Sequence, residues 1–266
     1  MNFRIRLIKK LGRENVDGNS TFTNYLAKDL LKAIHVPKGS YFYNLLRQVY
    51  RKTGKSNQIE RSRSAFGEDR VLAKYLPELK GSYIDIGAGG AINGSNTFMF
   101  YERGWQGTTI DAIDALMKQH RKKRPRDNQI LACVSNSKST EIKFYEFVAD
   151  DFSTTSPLQV DKLKMSGTEP RKEYFVSAIT LRSLSHVCNP MMPTLLDIDV
   201  EGSELSVLES NDWDKYLPRV IAVEEWTSPI YIATDVRKLL ENQGYQLVSR
   251  CYLTSIYVHL DYLNGV

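Results

Sequence analysis

The 266-residue chain has little cysteine, little histidine and no long apolar run, and each scarcity narrows what it can be. Nothing approaches the ~18 consecutive apolar residues that a membrane helix needs, so no transmembrane segment is expected. The three cysteines, Cys133, Cys188 and Cys251, are an odd number at wide spacing with no CxxC pair. They read as buried thiols in a reducing, cytoplasmic setting. The opening MNFRIRLIKKLGR is basic but has no continuous apolar core and no small-residue cleavage site, so a secretory leader is not expected. It reads as a surface helix, with a basic amphipathic helix on an anionic membrane as the alternative. The chain also lacks internal repeats and aromatic-interleaved basic motifs. The net charge of +5 draws heavily on one run, RKKRPR over 121–126. That run reads as a solvated helix end, and no nucleic-acid partner is expected.

What is present is a soluble globular composition, 42% hydrophobic and 25% charged. Residues 1–60 form a polar helical extension and residues 61–266 the main domain. FGEDRVLAKYLPELKG is a helix with Val71, Leu72 and Leu76 facing inward. After it strands alternate with helices: SYIDIG, GTTIDAI, NQILACVS, YFVSAIT, TLLDIDV and RVIAVEEW are strands, and EIKFYEF adds a short one. Residues 149–173, rich in Ser, Thr, Asp and Pro, read as one long irregular loop. YQLVSR and TSIYVHL pair as antiparallel strands. The alternation predicts an α/β fold, doubly wound around a mostly parallel sheet, with its ligands beyond the carboxyl ends of the strands.

The stretch YIDIGAGGAINGSNT, 83–97, ends a strand in an acid and a glycine turn. Gly87 and Gly89 match the first two glycines of a dinucleotide fingerprint, but Ile92 stands in place of the third. Asp85 would repel a pyrophosphate and attract an ammonium or sulfonium. Twenty-four residues after Gly87, Asp111 ends the second strand, where an acid accepts ribose hydroxyls. An adenosine-like ligand with a cationic tail, S-adenosylmethionine, fits both. Its methionine end lies near Asp85, Gly87, Gly89, Ser95 and Asn96, its ribose on Asp111 and Ala112, and its adenine against Cys133 and Val134.

LLDIDVEGSELSVLESNDWDKYLPRVIAVEE, with FGEDRVL, IDIGAGGAINGSNT, RGWQGTTID and SAITLRSL in consistent order, resembles the FkbM-type family of S-adenosylmethionine-dependent methyltransferases. The resemblance implies a Rossmann-like methyltransferase domain, a seven-stranded sheet with its last strand antiparallel. It further implies O-methyl transfer to hydroxyls of sugars, glycan precursors or natural products. Asp85, Gly87, Gly89 and Asp111 match the family's cofactor positions, and Glu68 and Asp69 a segment over the cofactor side of the sheet. The chain departs from the family pattern at Ser64-Ala65 and at Asp197, where a basic residue is usual.

Methyl transfer needs an aligned nucleophile, and an alcohol needs help in losing its proton. Asp199 and Glu225, at the ends of the fourth and fifth strands, are expected as general base or as ligands of a divalent ion such as Mg²⁺. His259 is the alternative base. His120 and His186 read as surface helix residues. The acceptor is expected to be a small molecule or a sugar nucleotide. The alternatives are a lipid, polyketide or peptide acceptor, or a binding module without turnover.

Overall fold

A computed structural model of the chain describes residues 62–78, 80–149, 152–184, 195–226 and 233–263. The expected helical extension, residues 1–60, and His186 lie outside the described residues. In chain order the elements are α1 (Glu68–Tyr75), β1 (Ser82–Ile86), α2 (Phe98–Glu102), β2 (Gln106–Asp111), α3 (Asp114–Lys123), β3 (Asn128–Leu131), β4 (Cys133–Val134) and β5 (Glu141–Glu146). There follow α4 (Pro157–Met165), β6 (Lys172–Ile179), α5 (Leu181–Leu184), β7 (Leu195–Ile198), α6 (Glu204–Glu209), β8 (Val220–Glu224), α7 (Asp235–Asn242), β9 (Tyr245–Cys251), β10 (Thr254–His259) and α8 (Leu260–Leu263).

Seven strands form the main sheet in the order β3-β2-β1-β7-β8-β10-β9. All neighbours are parallel except β10, which runs antiparallel to both β8 and β9. This is the doubly wound sheet with an antiparallel last strand that the sequence predicts. Its order reverses between β1 and β7, and in such sheets the ligand crevice opens there, beyond the strand carboxyl ends.

The central strands are apolar on both faces because helices cover both, so β7 and β8 are buried at every position. One face packs Ile84, Ile86, Leu196, Ile198, Ile221, Val223 and Tyr257 into a core. The other packs Tyr83, Leu195, Val220, Ala222, Ile256 and Val258 with Leu72 of α1, with Leu76 just beyond it and with Trp105. Alternation along each strand then assigns the acids. Asp85 and Asp197 are register partners, so they share the second face with Ala222, which is the register partner of Asp197.

Two local expectations change. NQILACVS is not one strand: after β3 the chain breaks at Ala132, and β4 leaves the main sheet to join β6 and β5 in a separate three-stranded sheet. Residues 149–173 are not one irregular loop either. Ser156 caps the N-terminus of α4, its hydroxyl accepting from the Gln159 amide, and Pro157 takes the first helical position. The helix has no strong apolar face to mark it in the sequence: Val160 is buried, while Leu158 and Met165 are 66% and 89% exposed.

Candidate active site

The glycine turn is held by backbone bonds from three strands. Gly87 and Ala88 donate to the Ile110 carbonyl at 2.9 and 3.1 Å, and the Asp199 amide donates to the Ile86 carbonyl at 2.9 Å. Gly87 has φ +74°, and a Cβ there would sit 1.8 Å from the Asp199 carbonyl oxygen. No side chain fits, so glycine is what lets the exit of β7 press against the turn. At Gly89, φ is +54° and a Cβ would meet nothing closer than 3.9 Å. The space over Gly89 is open.

Asp111 secures the turn from β2. It accepts from the Gly89 amide at 3.0 Å and from the Ile113 amide at 2.8 Å. The Gly89 carbonyl in turn lies 3.1 Å from His120 Nε2. Contrary to the sequence reading, His120 is completely buried. A carbonyl only accepts, so Nε2 carries the proton. Burial, then the nearby charge of Arg124, pushes the imidazole down to about 4, so it is neutral at neutral pH.

Asp85 is buried beneath the turn. Its carboxylate accepts from the Thr97 hydroxyl and lies 3.7 Å from the guanidinium of Arg124. Arg124 belongs to the basic run expected to be solvated, yet it is fully buried. It donates to Asp127 at 2.7 Å, to the Tyr83 and Thr97 hydroxyls at 2.8 Å each and to the Ser95 hydroxyl at 3.3 Å. Burial pushes the Asp85 carboxyl up, while Arg124 and Thr97 pull against it. Its neighbour Asp197 has no such cation. Burial, then the charge of Asp85, holds Asp197 well above the usual carboxylate range against a 3.1 Å bond from the Asn96 amide. Of the pair, Asp197 is the acid whose charged form is the less favoured.

Glu68 and Asp69 open α1 and are both buried. Glu68 accepts from the Phe66 amide at 2.8 Å and Asp69 from the Ser62 and Ser64 hydroxyls at 2.7 and 3.0 Å. Ser64 also bridges to Gly94, which lays this segment beside the glycine-rich loop. Ala112 and Val134 are buried. Cys133 is half-buried, and burial followed by the charge of Asp111 pushes its thiol up to about 12. It is no nucleophile at neutral pH.

The acids above the strand ends were only partly foreseen. One step beyond the Ile198–Val223 register pair, Asp199 and Glu224 come side by side. Glu201 joins them: ligand oxygens of Asp199, Glu201 and Glu224 all lie within 4.8 Å of one another. Asp199 is exposed, while Glu201 and Glu224 are buried. Trp226 Nε1 donates to Glu224 at 2.8 Å. Glu225, the residue expected here, points to the other face. It accepts from the Thr234 hydroxyl at the N-terminus of α7 and from the Tyr257 hydroxyl of β10 at 2.8 Å. His259 is further away. Because β10 is antiparallel, the His259 amide donates to the Arg219 carbonyl just before β8, five residues along the strand from Thr254, the partner of Glu224. At about 3.3 Å per residue that is roughly 17 Å from the acids. His259 packs edge-on to Tyr245 and faces Asp261 at 3.6 Å, a structural setting.

The arrangement therefore has an open space over Gly89, an acid ending β2, and a group of carboxylates at the switch point. A model of the methyltransferase FkbM domain matches residues 85–247, well over half the chain. The chain belongs to the FkbM methyltransferase family. It is a methyltransferase dependent on S-adenosylmethionine. The acids near the turn complement a sulfonium in charge, and a Cβ at Gly89 would meet nothing closer than 3.9 Å.

Among solved structures, this methyltransferase is similar to a TehB-like SAM-dependent methyltransferase from Corynebacterium glutamicum (11% identity, TM-score 0.39, 81% of this chain and 96% of that chain). It is also similar to the Burkholderia thailandensis 1,6-didemethyltoxoflavin-N1-methyltransferase with bound S-adenosylhomocysteine (12%, 0.37, 91% of each). A third is an O-methyltransferase from Bacillus cereus in complex with SAH (12%, 0.32, 86% and 94%). At these values the strand order, not the likeness, carries the fold. No curated protein matches the chain.

Proposed function

We propose that this methyltransferase transfers a methyl group to a hydroxyl of a sugar. The observation that carries the reading is the convergence of Asp199, Glu201 and Glu224 beside the turn at Gly87. In the proposed site Asp111 receives the ribose hydroxyls of the cofactor, the open space over Gly89 takes its methionine end, and Ala112 and Cys133 flank its adenine. Ser95 and Asn96 shape the loop from behind through their bonds to Arg124 and Asp197. Asp199, exposed at the switch point, is the general base that accepts the proton of the acceptor hydroxyl, and Glu224 holds that hydroxyl in line. Sugar hydroxyls suit a rim of acceptor-only carboxylates, because each hydroxyl can donate to one.

Three carboxylates also repel a diphosphate placed among them. If the acceptor is a nucleotide-linked sugar, its diphosphate lies outside this rim. The same three oxygens are within reach of a hard divalent cation such as Mg²⁺, the second reading of the trio. Cys133 and Cys251 are free thiols, which supports a cytoplasmic setting. No helix among the described residues is long and apolar enough to cross a membrane.

The test is release of S-adenosylhomocysteine over a panel of free sugars, nucleotide sugars, lipids and peptides. Turnover on a sugar, lost in Asp199→Asn with cofactor binding retained, supports the proposal. Near-normal turnover of that variant removes Asp199 as base. Turnover on lipid or peptide alone moves the acceptor class, and binding without turnover on any class favours a binding module. Activity that disappears on chelation and returns with Mg²⁺ favours the metal reading.

A further inference from the structure

His120 lies in the last turn of α3 and Arg124 is the residue that ends it; both side chains are buried and both reach the glycine-rich loop that follows β1. His120 takes the Gly89 carbonyl at 3.1 Å, near the start of the loop. Arg124 takes the Ser95 and Thr97 hydroxyls at 3.3 and 2.8 Å, at its end. Thr97 passes the connection on by donating to Asp85 in β1.

The loop needs such ties. Residues 87–97 include four glycines, and glycine loses more backbone freedom on ordering than any other residue. A ligand that had to order the loop would lose affinity accordingly, whereas a loop held in place beforehand binds without that loss. The charge on Arg124 is itself expensive to bury, and its partners are arranged to offset it. Asp127 is tied to the guanidinium, to the Tyr83 hydroxyl at 2.7–2.8 Å and to the Gly107 amide at 3.0 Å. The anchor is thus fixed to β1 and β2, not only to the loop. Well-packed apolar side chains could fill such a volume at no loss of stability, so the polar network is best explained by the geometry it imposes.

We infer that His120 and Arg124 are positioning residues for the cofactor, clamping the glycine-rich loop at both ends so that it is set for S-adenosylmethionine before the ligand arrives. The inference rests on the cofactor site proposed above. Neither residue touches the reacting atoms; each acts through the loop.

The experiment measures S-adenosylhomocysteine affinity by calorimetry on the full chain, with thermal unfolding followed on the same samples. The variants are His120→Leu, His120→Gln and Thr97→Val. Loss of the His120 donor in His120→Leu weakens binding about tenfold, the effect of one lost hydrogen bond. His120→Gln, which keeps an N–H near the same place, recovers most of it. Thr97→Val, which removes the hydroxyl that bridges Arg124 and Asp85 while leaving the ion pairs of Arg124 with Asp85 and Asp127, weakens binding by a similar factor. The inference is overturned if His120→Leu and Thr97→Val fold and bind as the parent chain does. It is equally overturned if His120→Gln is as weak as His120→Leu at equal unfolding temperature. A parent chain that binds neither S-adenosylmethionine nor S-adenosylhomocysteine defeats the cofactor site itself, a result distinct from parent-like binding by the variants.

Discussion

Gly87→Ala adds a single methyl group where the structure has no room for one. The new Cβ would lie 1.8 Å from the Asp199 carbonyl oxygen, and that oxygen is backbone, so no side-chain rotation relieves the clash. The φ of +74° adds strain of about 1–2 kcal/mol for a residue with a Cβ. To reach an ordinary contact the exit of β7 must retreat by more than about 1 Å, which weakens the 2.9 Å bond from the Asp199 amide to Ile86 by a further ~1 kcal/mol. The expected loss of stability is therefore about 2–3 kcal/mol, read as a lower denaturant midpoint. The larger effect is on chemistry. Asp199 moves away from Glu224, and a misplacement of about 1 Å is enough to lower kcat about 10²-fold. Kinetics of S-adenosylhomocysteine release at saturating cofactor on folded protein measure this. Gly89→Ala is the control: its Cβ meets nothing closer than 3.9 Å, so its stability changes less, while a methyl group now occupies the ligand space and cofactor affinity falls. A Gly87→Ala variant with parent-like kcat and midpoint refutes the claim that the close approach of β7 to the turn sets the site.

Adjacent acids on β8 give opposite results. Glu224→Gln lowers kcat by about 10² or more at unchanged stability, because Glu224 faces Asp199. Glu225→Gln leaves kcat near the parent value but costs about 1–3 kcal/mol of stability, because Glu225 ties α7 to β10 through Thr234 and Tyr257. Chemical denaturation and steady-state kinetics on the two variants decide it, and an equal loss of kcat in both defeats the face assignment. Glu204, buried at the start of α6, is pushed up to about 7, chiefly by burial, against a bond from the Gly202 amide. Its folded form holds its proton above the unfolded value of about 4.3, so it makes stability fall as pH rises from there through about 7. Glu204→Gln removes that fall; midpoints at pH 5 and pH 8 that drop as steeply in the variant exclude Glu204 as its source.

The parts of the fold that depend on local pattern were legible. Strands alternating with helices, a glycine turn after β1 and an acid ending β2 are each written in a few contiguous residues. The parts that depend on pairing across the chain were not. RKKRPR looks solvated because nothing in those six residues reveals that Tyr83, Asp85 and Thr97 receive Arg124. Parity along β8 separates Glu224 from Glu225, and the pairing with β7 decides which of them faces Asp199. Val220, Ala222 and Glu224 share one parity, and Ile221, Val223 and Glu225 the other. Register with β7 puts the first set on the face of Asp197 and hence of Asp199. Helix α4 announced itself only by the Ser156-Pro157 start, a cap signal easily outweighed by the polar composition around it.

The largest change concerns where the attraction for a cationic ligand arises. Sequence alone assigns it to Asp85, whose charge would pull on a sulfonium by some 4 kcal/mol at 4 Å in a partly screened site. The structure cancels most of that pull, since Arg124 stands 3.7 Å from the same carboxylate. Asp197 adds less than an exposed acid would, because burial and then the charge of Asp85 disfavour its charged form. The lower layer of the site sets the buried cation Arg124 among Asp85, Asp127 and Asp197, and its work is to hold the loop. The acids gathered at the switch point belong to the upper layer, where Asp199, Glu201 and Glu224 meet. A substitution that neutralises the upper layer should therefore weaken cofactor attraction through charge. One that disturbs the lower layer should weaken it through geometry, and ionic strength separates the two: only the first loss shrinks as salt screens the parent chain.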